Sequence, residues 1–453
     1  MNLTPEQLRE WDRKAHWHSF TQMAEYEPLI IERGEGCMLY DIDGNAYLDG
    51  VSSLWCNTFG HRHPKIDAAI REQLDKVAHV TNLGCSSVPA IELSKRIVEL
   101  TPGDLDHVFF ACDGSSAVEV ALKMAFQYWQ QREDPRPQKT GYIAFHEAYH
   151  GDTLGSVSVG GVEMFHDMFR PLLFSVHRLP SPDRDHLPAG VTPKTACQYY
   201  LDQLEAVLKE HHETLAAVVI EPLVQGAAGM LMQPAGYLRG LRELTNRYDV
   251  LLIFDEIAVG MGRTGTMFAC EQEEVTPDFL CLGKGLTGGY LPLSVTVART
   301  EIWNAFLGTY AERKTFFHGH TFSGNPLLCA TALATLDVFE EEKILEQLPA
   351  KIAHLEKRLA ELADHPHVAS VRQCGLIVGV ELIANKATGE AYPWTERRGW
   401  RACRHATKNG VWLRPLGNVI VIMPPLSITL DEIDRIVDAA KGGIEHAVAP
   451  CGE

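Results

Sequence analysis

The sequence predicts an α/β fold: a large, mostly parallel sheet with helices on its faces, joined to a small α+β layer. Three observations carry this. Between about residues 65 and 335, short apolar runs alternate with stretches of helical periodicity, the pattern of a parallel sheet with crossover helices. Each run is stopped by polar residues or glycine, as a strand buried on both faces is. With 453 residues, 45% of them hydrophobic, the chain can bury a large core spread over two or three domains.

The elements follow in chain order. Thr4-Pro5-Glu6 reads as a helix cap in a polar amino-terminal stretch. Cys37 to Asp49 alternates about Asp43-Gly44, a hairpin signal. This strand-rich first region, residues 1–60, ends in Gly60-His61-Arg62-His63-Pro64. The central region, 61–335, holds the runs His107–Ala111, Gly141–Phe145, Ala216–Ile220, Val250–Phe254, Phe279–Leu282 and Leu293–Ala298. A proline-rich segment between Gly160 and Pro193 has no clear period and reads as an insertion over the site. The last region, 336–453, opens with acidic helices over Asp337–Glu346 and Ala350–Ala363. Strands Ile377–Leu382 and Val419–Met423 follow, then a helix near Leu430–His446.

Composition narrows the function classes. The net charge is −18, from 41 basic and 59 acidic residues, with no basic stripe, which argues against a nucleic-acid partner. No apolar run approaches the roughly 18 residues of a membrane span. Eleven scattered cysteines, without a C-x-x-C pair or a secretory segment, suggest free thiols in a reduced cytoplasmic setting.

The chemistry concentrates where the central runs end. Asp255 closes Val250–Phe254, and Lys284 sits between Gly283 and Gly285 just after Phe279–Leu282. An acid and an amine are thus delivered to the carboxyl edge of the sheet, where open α/β folds bind ligands. A lysine there can condense with a carbonyl compound, and a buried Asp can keep a ring nitrogen protonated. Those are the requirements of pyridoxal 5'-phosphate. Cys112-Asp113-Gly114-Ser115-Ser116 lies between a strand and the helix Ala117–Gln131, where free N–H groups and the helix dipole suit a phosphate. Taken alone it reads first as an ordinary serine N-cap; beside Asp255 and Lys284 the phosphate reading takes precedence. No G-x-G-x-x-G or P-loop motif opens a βαβ unit.

His146-Glu147-Ala148-Tyr149-His150 matches the zinc pattern H-E-x-x-H, but that pattern needs a helix, and here it follows a strand. The expectation is a loop presenting Tyr149 to an aromatic ring, with no metal; a zinc hydrolase on His146 and His150 is the distant alternative. Glu221 follows Ala216–Ile220 and reads as either a turn residue or a second acid at the edge. The other histidine pairs read as loop or surface residues. His318-Gly319-His320-Thr321 forms a polar loop, and Arg414, at a strand end, is a surface charge or a carboxylate anchor.

Together these motifs resemble the class III aminotransferases of PLP fold type I (aspartate aminotransferase-like) over nearly the whole chain. Asp255-Glu256-Ile257 with Gly262-Arg263-Thr264-Gly265 is similar to the family's cofactor-Asp segment, and Gly283-Lys284-Gly285 with Gly288-Gly289 to its lysine segment. The resemblance implies that Lys284 carries the cofactor and that Lys284 and Tyr149 serve catalysis. It implies a cofactor set of Gly114, Ser115, Tyr149, Glu221, Asp255, Ile257, Lys284, His320 and Thr321, with Thr321 supplied by the partner subunit of a homodimer. Trp17–Met23, Ser52–Trp55, Ala148–Thr153 and Val411–Pro415 further resemble the branch that aminates 8-amino-7-oxononanoate in biotin biosynthesis. That implies a substrate set of Phe20, Leu54, Trp55, Tyr149, Gly319 and Arg414, with Arg414 on the keto-acid carboxylate. Another class III ω-amino acid or diamine aminotransferase is the nearer alternative.

Departures bear on the amino donor. Ser19 stands where the branch has Pro, Phe20 where S-adenosylmethionine users have Tyr, and Leu54-Trp55 where they have paired tryptophans. At those positions the chain resembles a sub-group that uses lysine.

Overall fold

The structure is a computed structural model and describes residues 3–449; residues 1–2 and 450–453, at the outer ends of the first and last expected regions, lie outside it. Thr4 caps the helix Pro5–Ala15 with a reciprocal capping box to Gln7, as its sequence predicts. Strands β1 (Ile31–Glu35), β2 (Met38–Asp41) and β3 (Ala46–Asp49) form an antiparallel sheet, with the expected hairpin between β2 and β3.

The main sheet has seven strands. They are β4 (Leu105–Ala111), β5 (Gly141–Phe145), β6 (His177–Leu179), β7 (Leu215–Ile220), β10 (Leu251–Asp255), β11 (Phe279–Leu282) and β12 (Ser294–Arg299). A two-strand hairpin, β8 (Val224–Gln225) and β9 (Leu231–Met232), follows β7. The spatial order is β4-β12-β11-β10-β7-β5-β6. β12 runs antiparallel to both neighbours, so six strands share a direction and their carboxyl ends meet at one edge. β7 and β10 are wholly buried, because helices cover both faces, and their residues are apolar up to Asp255 at the end of β10.

The chain ends with β13 (Val368–Cys374), β14 (Ile377–Leu382), β15 (Val411–Trp412), β16 (Arg414–Leu416) and β17 (Val419–Ile422). These build a four-stranded sheet in the order β13-β14-β17-β16, while β15 joins the first sheet by pairing in parallel with β3. Helices Ile344–Ala363 and Leu430–Val448 pack beside it.

The structure corrects three expectations. The acidic helix expected over Asp337–Glu346 is two helices: Pro326–Glu341 ends there, and Lys343, at φ 51°, turns the chain before Ile344. The cap before Gly114 is Asp113, whose carboxylate accepts the Ser116 N–H at 2.9 Å, and not a serine. The Gly160–Pro193 segment contributes β6 to the sheet and short helical turns over Glu163–Leu172. Among the described residues, no helix is long and apolar enough to cross a membrane, and the cysteines are free thiols.

Candidate active site

The carboxyl edge gathers the polar residues one strand at a time. β10 ends in Asp255, which is 3% exposed. Both its oxygens are engaged. Oδ1 accepts the Ile257 N–H at 3.0 Å, and Oδ2 meets His150 Nδ1 at 2.8 Å. A buried carboxylate needs such partners, and two of them also fix its plane. His150 is itself buried, and its Nε2 makes no hydrogen bond among the described residues.

β11, in parallel register with β10, delivers Lys284 two residues past its end. Lys284 adopts φ 42°, a left-handed conformation that costs strain for a side-chain-bearing residue and clusters at functional sites. Its amine makes no hydrogen bond or ion pair among the described residues and lies 5.0 Å from the Trp55 ring centroid. Burial lowers its pKa, which favours a neutral, nucleophilic amine. Trp55 is buried at the end of a strained turn: Ser52, Ser53 and Trp55 all have positive φ, and Asp49 holds the Val51 and Ser53 N–H groups.

β7 ends at Glu221, and β5 leads into the Tyr149 loop. Glu221 accepts the Tyr149 N–H at 3.0 Å on one oxygen and the Gly226 N–H at 3.0 Å on the other. Burial pushes its carboxyl up to about 7, with the nearby Asp255 adding to the rise. Residues 146–150 form a turn and coil, so His146 and His150 do not share a helical face; His146 is exposed, and His150 points to Asp255. Tyr149 is half-buried, and its hydroxyl donates to Asp152 Oδ2 at 2.7 Å.

β4 leads to the start of the helix Gly114–Gln131. The Asp113 cap takes the Ser116 N–H, leaving those of Gly114 and Ser115 outside the cap. A β carbon at Gly114 would lie 2.9 Å from two Ile257 methyl carbons, so only glycine fits there. Ile257 also lies over Gly283, and so bridges the helix start and the lysine turn. Ser115 Oγ accepts the Asp152 N–H at 2.8 Å, which leaves its own O–H free to donate. The adjoining Gly151, at φ 116°, would place a β carbon 1.7 Å from that oxygen.

Gly114, Ser115, Tyr149, Glu221, Asp255, Ile257, Lys284 and Trp55 therefore meet at one sheet edge. His150, expected only as a zinc alternative, joins them as the partner of Asp255. A buried acid at a strand end requires a donor, and that requirement was the signal for it. The remaining candidates stay outside. Gly319, His320 and Thr321 are exposed, as are Phe20 at 63% and Leu54 at 50%. Phe20 packs edge-on against Phe165, whose ring in turn meets Tyr149 edge-on, placing the Glu163–Leu172 turns beside the Tyr149 loop. Arg414 opens β16, is exposed, and makes no ion pair among the described residues.

Comparisons with known proteins converge. The family model for class-III aminotransferases matches residues 21–444. The adenosylmethionine-8-amino-7-oxononanoate aminotransferase of Geobacter sulfurreducens is 51% identical over 445 residues, covering 97% of this chain and 98% of that protein. The crystal structure of the same-named enzyme from Methanocaldococcus jannaschii superposes with a TM-score of 0.92 at 45% identity, covering 97% of this chain and 99% of that one. An amine transaminase from an uncultivated Pseudomonas species, in its PLP-bound form, superposes at 0.90 with 36% identity, covering 96% and 98%.

Proposed function

This chain belongs to the class-III aminotransferases, which are PLP-dependent enzymes, and from that premise we propose that it aminates 8-amino-7-oxononanoate to 7,8-diaminononanoate in biotin biosynthesis. The observation that carries the reading is the unpaired, partly buried Lys284 amine beside Trp55, one strand from a carboxylate locked by His150.

The residues present fit pyridoxal phosphate. Lys284 is the attachment point, Asp255 the partner of the ring nitrogen, and Gly114 with Ser115 the phosphate cradle at a helix start. When bound, the cofactor supplies an electron sink for the carbanion formed at the amine-bearing carbon. The chain supplies the rest. Lys284, whose pKa is lowered by burial, would move the proton from the donor carbon as general base and return it as acid. His150 holds Asp255 in one orientation. Tyr149 would lie against the ring, and Glu221 holds the Tyr149 loop by its backbone. The two half-reactions share one site in turn, so the kinetics are ping-pong.

Arg414, which makes no ion pair among the described residues, takes the keto-acid carboxylate, and Trp55, Leu54, Phe20 and Gly319 line the channel. The exposed His320-Thr321 loop completes the phosphate site of a second copy, giving a homodimer with shared sites. Relatives are named for S-adenosylmethionine as donor. Phe20 and Leu54 argue for lysine here, because they remove a hydroxyl and an aromatic face on which a sulfonium and an adenosine would rest.

The test is spectroscopic. Each donor alone should convert the pyridoxal form of the purified protein to the pyridoxamine form, and 8-amino-7-oxononanoate should reverse it. No reversal by that ketone, with reversal by pyruvate or a simple aldehyde, would move the chain to the ω-amino acid transaminases.

A further inference from the structure

A line of alternating charges joins the loop after β6 to the carboxyl-terminal sheet. Arg372, in β13, is 1% exposed. Its Nη2 donates to the Gly229 carbonyl at 2.7 Å. Its Nη1 donates to Ser370 Oγ at 2.7 Å and pairs with Glu381 Oε2 on the neighbouring β14. The same Glu381 oxygen meets His186 Nε2 at 2.9 Å, and His186 Nδ1 meets Asp183 Oδ2 at 2.6 Å. With a carboxylate at each ring nitrogen, His186 is pushed up to about 10 by its bonds to Asp183 and Glu381. Burial opposes charge on Glu381, yet the bonds from His186 and Arg372 bring its carboxyl down to about 2. The order is thus Asp183⁻, His186⁺, Glu381⁻, Arg372⁺, ending on a backbone carbonyl.

That carbonyl belongs to the turn between β8 and β9. The Gly229 and Met230 N–H groups donate to the Gly226 carbonyl at 3.1 and 3.0 Å. The Gly226 N–H donates to Glu221, and a β carbon on Gly226 would touch Trp55 Cζ3 at 3.4 Å. The turn therefore backs Trp55 and holds one Glu221 oxygen, while the other oxygen holds the Tyr149 N–H. A buried guanidinium is a poor source of net stability, because its desolvation offsets the pairing; fixing one arrangement is its better-attested use.

We propose that Arg372, Glu381 and His186 are positioning residues, which fix the Gly226–Gly229 turn and through it Trp55 and the Tyr149 loop at the active site. The link to acceptor binding rests on the function proposed above; the fixing of the turn does not.

The holoenzyme carrying Arg372→Met, Glu381→Gln, His186→Gln or Arg372→Lys tests this by hydrogen exchange and by separate half-reactions. Peptides covering 224–233 should exchange about tenfold faster in Arg372→Met and Glu381→Gln, with β7 and β10 unchanged. The acceptor KM should rise about tenfold, and the donor half-reaction, which uses the same Trp55 and Tyr149, should slow as well. Arg372→Lys, which can keep one bond to Gly229, should recover part of both effects. His186→Gln should give a smaller change of the same kind, and its half-exposed position keeps it foldable if Arg372→Met is not. Unchanged exchange over 224–233 in the folded variants overturns the proposal, as does an acceptor KM within about twofold of the wild type. A wild-type protein that ignores 8-amino-7-oxononanoate would refute the acceptor reading alone, and the exchange data would still decide the role of the turn.

Discussion

The sheet edge and the segments around it are built in opposite ways. Asp255, Glu221 and His150 are buried, and each is bonded to a named partner within the chain. Trp17, Phe20, Leu54, Thr321 and Arg414 are exposed, Trp17 at 87%. The first group is preorganised: hydrogen bonds already fix its orientation, so it can hold a charged ring without rearranging. The second group is open to solvent, and under the proposed function its further partners are substrate or a second chain. One protomer thus presets the Lys284 and Asp255 side of the site and leaves the Thr321 loop and the exposed substrate candidates open.

Lys284 tests the preorganised side most severely. Lys284→Ala should lower turnover by roughly 10³-fold or more, since it removes both the attachment point and the proton carrier. The purified variant should also lose the yellow absorbance of the wild type. Normal turnover in this variant would break the comparison at its root.

Mixing protomers tests whether the exposed side is completed by a second copy. Lys284→Ala and Thr321→Ala should each be impaired alone. Mixed at equal amounts with subunit exchange confirmed, they should regain about one quarter of the wild-type sites, because half the dimers carry one intact site. No recovery would mean that Thr321 serves its own chain or none.

How much was legible follows the same divide. Asp255 and Lys284 could be read because a strand buried on both faces is an apolar run, and its first polar residue marks the edge. The hairpin at Asp43-Gly44 and the Thr4 cap were readable for an equally local reason. β6 was not: three residues, His177–Leu179, carry no period and join the sheet only because β5 offers them a free edge. β13 hid because Arg372 is buried in it, and its bonds to Ser370, Glu381 and the Gly229 carbonyl make that tolerable. The role of His150 needed the fold as well, since its partner lies 105 residues away.

Arg414 sharpens the comparison on the acceptor side. A bidentate charge-assisted pair with a carboxylate is commonly worth about 1.5–3 kcal/mol, or roughly 10- to 150-fold in affinity. Arg414→Ala should raise the keto-acid KM by that order and leave the donor half-reaction nearly unchanged. Equal loss in both halves would make Arg414 a shared or structural residue.

The smallest expected effect concerns the donor, and it falls on the two most exposed candidates. Phe20 rests edge-on against Phe165 beside the Tyr149 loop, and Leu54 precedes the Trp55 that faces the Lys284 amine. A sulfonium ion gains about 0.5–2 kcal/mol from each aromatic face, and a phenol can orient its carboxylate or its adenosine. Phe20 lacks that hydroxyl, and Leu54 lacks that face. Lysine is slimmer and needs neither. If this is right, lysine alone should convert the pyridoxal form, while S-adenosylmethionine should do so slowly. Leu54→Trp combined with Phe20→Tyr should then raise the S-adenosylmethionine half-reaction by about 2- to 30-fold, the rate equivalent of one such contact. The lysine rate should hardly move, because neither substitution touches Lys284, Asp255 or the phosphate cradle. Rapid conversion by S-adenosylmethionine in the unaltered protein, with none by millimolar lysine, would show that Trp55 and Tyr149 suffice for the sulfonium and that the two exposed positions do not select the donor.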